Sequence, residues 1–208
     1  MKTTFAQKLI EAGAVRLSPA KPFTWASGWH SPIYCDNRRL LSFPDVRSFV
    51  KDGLVALVRQ HFADAEVIAG VATGAIAMGA LVADVLEKPF VYVRPKPKDH
   101  GMGNQIEGRL PENASVVVVE DLISTGMSSL KAVDALRAAG ANIKGMVASF
   151  TYDFPIAKEA FESAQVELYT LSDYPHVLAY ALQNGDITSE QQAILSQWRD
   201  NPAEWGKE

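Results

Sequence analysis

The sequence has few cysteines, little net charge and no long apolar run, and each shortage excludes a class of protein. Cys35 is its only cysteine, which excludes an internal disulfide framework and a cysteine-rich zinc site. No apolar run approaches the ~18 residues that span a bilayer, so no membrane contact is expected. A formal net charge of −4 does not indicate a nucleic-acid-binding surface. Any anionic ligand would therefore need a local cluster of basic residues.

The N-terminal run MKTTFAQKLIEAGAV has the pattern of an amphipathic helix, and the acid Glu11 within it argues against a secretory signal. We therefore expect a cytoplasmic protein. With 208 residues, of which 48% are hydrophobic, the chain suits one globular domain covering residues 1–208.

Strand and helix patterns alternate through the middle of the chain. The predicted strands cover residues 66–71, 90–93, 116–119, 143–150 and 166–170, and the predicted helices cover 73–86, 127–139 and 154–163. A further helix with a capped start is expected at Ser42-Phe-Pro-Asp45, and the residues beyond Leu171 look helical with a break at Asn184-Gly185. This alternation predicts an α/β fold with a parallel sheet flanked by helices. Residues 1–40, approximately, fit it poorly and are expected to form a small N-terminal hood.

The run SVVVVEDLISTG, residues 115–126, combines a buried strand, two acids and a loop of small residues. Four β-branched valines predict a strand that is buried on both faces and ends at Glu120 and Asp121. The carboxyl end of a parallel strand that leads into a helix is where open α/β sheets bind phosphorylated ligands. The run lacks the GK[ST] triplet of an ATP-binding loop. A phosphorylated sugar with Mg²⁺ is therefore favoured, because sugar hydroxyls and a divalent cation both suit the acids.

A solvated strand end followed by a serine or threonine helix cap is the alternative that this run alone leaves open. The order of strand, two acids, two apolar residues and glycine-containing hydroxyl loop resembles the PRPP-binding motif of type I phosphoribosyltransferases. The resemblance implies the fold of that family, a parallel sheet flanked by helices with a small hood.

Residues 94–108, RPKPKDHGMGNQIEG, place basic side chains among prolines and glycines. Apolar residues do not recur with helical or strand spacing between Lys96 and Gln105, so core packing cannot hold this segment. We interpret it as a mobile basic lid over an anionic ligand, against the alternative of an ordinary solvated loop. Its arginine and lysines are the side chains that bind pyrophosphate well, and Arg94 can do so through two hydrogen bonds.

Two further motifs narrow the resemblance. KDHG followed by a glycine-rich stretch and IEG is similar to the catalytic loop of orotate phosphoribosyltransferases. PFTWASGWHSPIYCDNR, residues 22–38, is similar to the N-terminal motif of the same family. On these motifs the chain is identified as a member of that family.

The resemblance implies a set of site residues. Lys98, His100 and Asp121 would be catalytic, and Ser124, Tyr34 and Cys35 would line the orotate pocket. The PRPP-binding residues would be Arg94, Lys98, His100, Glu120, Asp121, Leu122, Ile123, Ser124, Thr125, Gly126, Met127 and Ser128. Mg²⁺ would be held through PRPP and water, without a direct protein ligand. The resemblance also implies a homodimer in which each lid can close over the neighbouring site.

The chain departs from some family members at four positions. Ala26, Gly74 and Pro95 stand where those members have a lysine, and Tyr152 stands near the position of an arginine. Lys96 is a candidate replacement for the lysine at Pro95. Arg38 is a candidate partner for the carboxylate of orotate.

The expected activity is Mg²⁺-dependent transfer of ribose 5-phosphate from PRPP to orotate, giving orotidine 5′-monophosphate and pyrophosphate in UMP biosynthesis. A purine phosphoribosyltransferase would share residues 120–128, but the KDHG loop and the FTWASG…SPIYCD segment disfavour it. A non-catalytic PRPP-sensing regulator would need a basic nucleic-acid face or an added DNA-binding helix pair, and the sequence indicates neither.

Overall fold

A computed structural model describes residues 1–25, 28–97 and 104–205. The helices are α1 (Lys2–Glu11), α2 (Pro44–His61), α3 (Ile76–Leu86), α4 (Met127–Ala138), α5 (Pro155–Ser163), α6 (Tyr174–Asn184) and α7 (Ser189–Asp200), with a 3₁₀ helix at Asn37–Ser42. The strands are β1 (Val15–Leu17), β2 (Phe23–Thr24), β3 (His30–Ser31), β4 (Ile33–Cys35), β5 (Val67–Val71), β6 (Phe90–Val93), β7 (Ile106–Glu107), β8 (Ser115–Ile123), β9 (Asn142–Thr151) and β10 (Leu168–Asp173).

Six strands form the central sheet in the order β10-β9-β8-β5-β6-β7, and every neighbouring pair is parallel except β6 and β7. The strands β5 and β8 lie in the middle, and the valines at 116–119 are fully buried. Continuous apolar runs are typical of parallel strands that are covered by helices on both faces. The predicted α/β fold with a parallel, helix-flanked sheet is confirmed.

The direction in which the chain builds the sheet reverses between β5 and β8. After β5 the chain crosses through α3 to β6 on one side, and it later returns to the other side of β5 to form β8, β9 and β10 in turn. At such a reversal the connections leave the carboxyl ends of two adjacent strands in opposite directions and open a crevice, where α/β sheets bind ligands.

Several predicted boundaries were wrong, two of them at β8 and α2. The strand β8 continues to Ile123 instead of ending at Val119, because its pairing with β9 extends through Leu122 and Ile123 after its pairing with β5 has ended. The acids Glu120 and Asp121 therefore lie within the strand, beside the crevice. The helix α2 begins at Pro44, directly after Phe43, and none of the described side chains caps it.

The N-terminal residues lie outside the main sheet, where β1 pairs with β4 and β2 pairs with β3. The ring of Trp25 contacts Trp198 of α7 at a centroid distance of 5.6 Å and Tyr152 at 5.1 Å. The indole N–H of Trp198 donates to the His30 carbonyl at 3.1 Å. Aromatic packing and this hydrogen bond thus hold the β2–β3 ribbon against α7 and the end of β9. Within the described ranges, no helix is long and apolar enough to cross a membrane.

Candidate active site

The two acids of β8 have different environments because successive residues of a strand face opposite sides. Glu120 is 4% exposed, and its carboxylate accepts the Ser129 hydroxyl and the backbone N–H of Asp121, each at 2.9 Å. Burial, and then the nearby Asp121, raise the pKa of Glu120 well above its ordinary value. Glu120 therefore ties β8 to α4, and Asp121 is the acid that is open to the crevice.

Asp121 is held by residues from two other parts of the chain. The turn after β5 brings Gly74 against it, so closely that a Cβ on Gly74 would lie 2.0 Å from Oδ2 of Asp121. From the hood side, the amide of Asn37 donates to the backbone carbonyl of Asp121 at 2.6 Å. Burial raises the pKa of Asp121, while its hydrogen bond with Glu120 and the charge of Arg38 oppose that shift. Asp121 thus lies where β5, β8 and the hood meet.

The loop that follows β8 leads directly into α4. Gly126 has φ +82°, a left-handed conformation, and a Cβ there would lie 2.9 Å from the ring of Phe161. The first turn of α4 contains no acidic residue, and none of the described side chains caps it. The backbone N–H groups of Met127 and Ser128 are therefore available, together with the helix dipole, to bind an anion such as a phosphate.

The hood places a cysteine and an arginine near Asp121. The thiol of Cys35 donates to the Asn37 side-chain carbonyl at 3.5 Å, and burial raises the pKa of Cys35 well above its ordinary value. The guanidinium of Arg38 forms a fork with Asp36, with contacts of 2.6 and 3.0 Å. This hydrogen bonding lowers the pKa of Asp36. Arg38 is 61% exposed, so its guanidinium can also donate to the carboxylate of a ligand.

The side chain of Tyr34 lies on the other side of β4 and packs within the hood. The guanidinium of Arg16 lies 5.4 Å from its ring centroid, and the Phe23 ring lies 5.8 Å away. Only the backbone of Tyr34 can therefore face the same region as the Cys35 side chain.

The segment predicted to be a lid connects β6 and β7, two strands that pair with each other. The backbone N–H of Arg94 donates to the Gln105 carbonyl, and the Gln105 amide donates to the Arg94 carbonyl, both at 2.9 Å. The guanidinium of Arg94 lies 3.6 Å from Glu107. The described base of the predicted lid is thus a short hairpin. Lys98 and His100 lie outside the described part of the chain.

Arg94 shares a cavity of about 270 Å³ with the first turn of α4, including Met127 and Ser128. A larger cavity of about 630 Å³ lies between α5 and β10, at the opposite edge of the sheet from β6 and β7. Neither acid of β8 lines either cavity. Convergence of charged and polar groups, and not cavity size, therefore identifies the site.

Tyr152 is fully buried in the aromatic cluster between the hood and α7. Its ring stacks on Phe154 at a centroid distance of 5.4 Å and contacts the edge of Trp198 at 5.7 Å. Burial raises the pKa of Tyr152 well above its ordinary value. The side chain at 152 is thus a neutral part of the core and supplies no charge to the site.

Two residues contribute to the site through contacts with Asp121 that no pattern in the sequence predicts. They are Gly74 and Asn37. In the sequence, Gly74 stands out only as a position where some family members have a lysine, and Asn37 only as part of the CDNR string. Contacts between distant segments give both residues their positions in the site.

Comparison with known proteins agrees with this geometry. The family model described as "Phosphoribosyl transferase domain" matches residues 50–164. The chain is 57% identical to the orotate phosphoribosyltransferase of Bacteroides fragilis, over 99% of this chain and 97% of that protein. It is 54% identical to the orotate phosphoribosyltransferase of Cutibacterium acnes, over 97% and 93% of the two chains.

Solved structures give the same result. The orotate phosphoribosyltransferase of Aeropyrum pernix superimposes with a TM-score of 0.77 at 32% identity, over 88% of this chain and 99% of that one. The UMP synthase of Leishmania donovani superimposes with a TM-score of 0.78 at 28% identity, over 94% of this chain and 42% of that one. By sequence and by fold, this chain belongs to the orotate phosphoribosyltransferase family.

Proposed function

We propose that this chain transfers ribose 5-phosphate from PRPP to orotate, with Mg²⁺, giving orotidine 5′-monophosphate and pyrophosphate for UMP synthesis. The observation that carries the proposal is the position of Asp121. It lies at the reversal of the sheet, between the Gly74 turn and the hood, and just before the uncapped start of α4. The named relatives support orotate as the acceptor.

The start of α4 would bind the 5′-phosphate of PRPP. Backbone N–H groups near Met127 and Ser128 would meet the phosphate oxygens, and the hydroxyls of Ser124, Thr125 and Ser128 would complete the contacts. Leu122 and Ile123 would only position this loop, since Ile123 is buried and Leu122 packs partly against the core.

The acids would stabilise the ribose during the reaction. Positive charge develops on the ribose as the bond from C1 to pyrophosphate lengthens, and a fixed carboxylate nearby lowers the energy of that state. Asp121 would take this role and would contact the ribose hydroxyls. Glu120 would act mainly by holding Asp121 and α4, because its own oxygens are occupied by Ser129 and the Asp121 backbone.

The lid would stabilise the departing pyrophosphate. Negative charge grows on that group during transfer, and Arg94, Lys98 and His100 are the lid residues that would meet it. A closed lid would also keep water away from PRPP.

Among the described residues, no three His, Cys, Asp or Glu side chains lie together in a cluster that could hold a metal. Mg²⁺ that is bound to substrate phosphates commonly keeps several water ligands. Both oxygens of Glu120 are occupied, so Asp121 is the acid of β8 that is open to the crevice. The site therefore fits a Mg²⁺ ion that arrives with PRPP and is held through PRPP and water. When bound, such an ion would help to neutralise the pyrophosphate.

Orotate would bind between the hood and the loop after β8. The backbone at Tyr34 and Cys35 and the hydroxyl of Ser124 would contact the pyrimidine ring. Tyr152 is buried and neutral, so Arg38 would be the partner of the orotate carboxylate. Its fork with Asp36 has the geometry that a substrate carboxylate could take over.

A cytoplasmic homodimer is part of the same proposal. The support for the shared site is that β6 and β7 pair at one edge of the sheet, and that Lys98 and His100 belong to the segment that connects them in the sequence. A lid that extends from an edge strand can reach a neighbouring subunit across a twofold axis.

A substrate panel tests the proposed function. The purified chain with PRPP and Mg²⁺ should consume orotate, measured by ultraviolet absorbance, and should leave uracil, adenine and hypoxanthine unchanged. Consumption of a purine would identify a purine phosphoribosyltransferase instead. Binding of PRPP without consumption of any base would indicate a non-catalytic PRPP sensor.

A further inference from the structure

The cavity of about 270 Å³ between the lid base and α4 is lined by a second basic residue besides Arg94. None of the family motifs includes this residue. Lys131, in the second turn of α4, lines this cavity together with Arg94 and Ser128. Helical side chains lean toward the N-terminus, so a lysine in the second turn can cover the first turn. The fold therefore brings an ammonium group to the same space as the Arg94 guanidinium and the start of α4.

The charges around this cavity favour an anion. Arg94 and Lys131 are its charged lining residues, and none of the described lining residues is acidic. The start of α4 adds uncapped backbone N–H groups and the positive end of the helix dipole. Arg94 approaches Glu107 at 3.6 Å, but within the described ranges Lys131 forms no ion pair or hydrogen bond. Lys131 is thus free to bind a ligand that enters the cavity.

Other candidates for a second cation are less well placed. Pro95 and Gly74 are neutral, and Lys96, which the sequence suggested as a replacement, does not line the cavity. Lys131 is the lysine that does line it.

We propose that Lys131 binds the pyrophosphate group of PRPP, together with Arg94, in this cavity. The proposal rests on the proposed function for the identity of the ligand, and the cavity itself points to a compact, multiply charged anion. One ammonium and one guanidinium would divide the charge of the pyrophosphate between them. Lys131 would then supply the positive charge that Pro95 and Gly74 do not provide.

Calorimetric titration of the full chain with sodium pyrophosphate, with and without Mg²⁺, tests this directly. Lys131→Ala should weaken pyrophosphate binding by about tenfold or more, which is the usual size of a lost charged hydrogen bond. Lys131→Arg should restore most of it. Lys158→Ala is a matched control, because it removes the same charge from a side chain that is 77% exposed on α5.

Steady-state kinetics give a second measurement. Lys131→Ala should raise the KM for PRPP and leave the KM for orotate nearly unchanged, with an unaltered melting temperature. Unchanged pyrophosphate affinity in Lys131→Ala would overturn the proposal, as would an equal loss in Lys158→Ala. If the wild type binds pyrophosphate through Lys131 but does not consume orotate, the proposed function fails and the site stands. If the wild type consumes orotate but its affinity for pyrophosphate does not depend on Lys131, the proposed function stands and the role of Lys131 is wrong.

Discussion

The Cα of Gly74 lies against the carboxylate of Asp121, so closely that a Cβ at this position would overlap the acid. This contact joins the turn after β5 to the end of β8, the two walls of the crevice where the sheet reverses direction. Only a residue without a side chain leaves the carboxylate in its place. Some relatives have a lysine at this position. In this chain, the position of the Asp121 carboxylate therefore depends on the glycine at 74.

Substituting Gly74 should damage activity more than stability. In Gly74→Ala the new methyl group must displace Asp121, so we expect kcat to fall by about tenfold or more, with an overpacking cost of about 1–3 kcal/mol in the free energy of unfolding. Gly140→Ala is the control: φ is +86° there, but no atom lies within 4 Å of the added Cβ. It should lower the melting temperature and preserve kcat. Normal turnover in Gly74→Ala would contradict the assigned contact.

The two acids of β8 should respond differently to removal of their charge. Asp121→Asn should lower kcat by about 10²–10³, because a fixed charge facing the reacting ribose is lost. Glu120→Gln should lower it less than about tenfold, since the amide can still bond to Ser129 and the Asp121 backbone. At neutral pH, the melting temperature of both variants should be equal to or higher than that of the wild type. If Asp121→Asn unfolds, the acid pair serves the fold and not the reaction.

Glu120 should also make stability depend on pH. Its pKa is raised above 4.5 in the folded chain, so the folded state binds its proton more tightly than the unfolded state does. This stabilisation is complete below the unfolded pKa and is lost as pH rises toward the folded pKa. The melting temperature of Glu120→Gln relative to the wild type should therefore increase from pH 4 upward. A constant difference between the two melting temperatures across that pH range would show that folding does not raise the pKa of Glu120.

Arg38 should control binding of the base more than binding of PRPP. Arg38→Gln should raise the KM for orotate by about tenfold, the effect of losing a charged carboxylate contact, and leave the KM for PRPP nearly unchanged. Arg39→Gln removes the same charge one residue later, where the guanidinium lies near Gly13. It should leave both constants unchanged. Equal effects of the two variants would indicate a general loss of positive charge.

Mixing two inactive variants should show whether lids act across a dimer. A Lys98→Ala chain and an Asp121→Asn chain would form heterodimers in which a shared arrangement leaves one site with a sound lid and a sound acid. With equal mixing half the dimers are heterodimers, so about a quarter of wild-type activity should return. Absence of recovery, with subunit exchange shown by a tag on one variant, would place each lid over its own site.

The sequence by itself determined the central strand, the two acids and the loop that leads into α4, because each of these depends on a few adjacent residues. Four consecutive valines favour a strand that is buried on both faces. Gly126 readily adopts the φ of +82° with which the loop turns into α4. Similarly, the break after Asn184 is predictable, since Gly185 ends α6 in a left-handed conformation. The α/β fold follows from the alternation of such local patterns.

Only the tertiary structure decided which residues meet. The end of β8 depends on how far β9 continues beside it, which β8 does not encode. Asn37 reaches the Asp121 carbonyl and Gly74 reaches its carboxylate because the hood and β5 are folded against β8. Lys131 lines a cavity with Arg94 because α4 starts beside the end of β6. Contacts between distant segments arise from the packing of whole elements, and short sequence patterns carry no information about that packing.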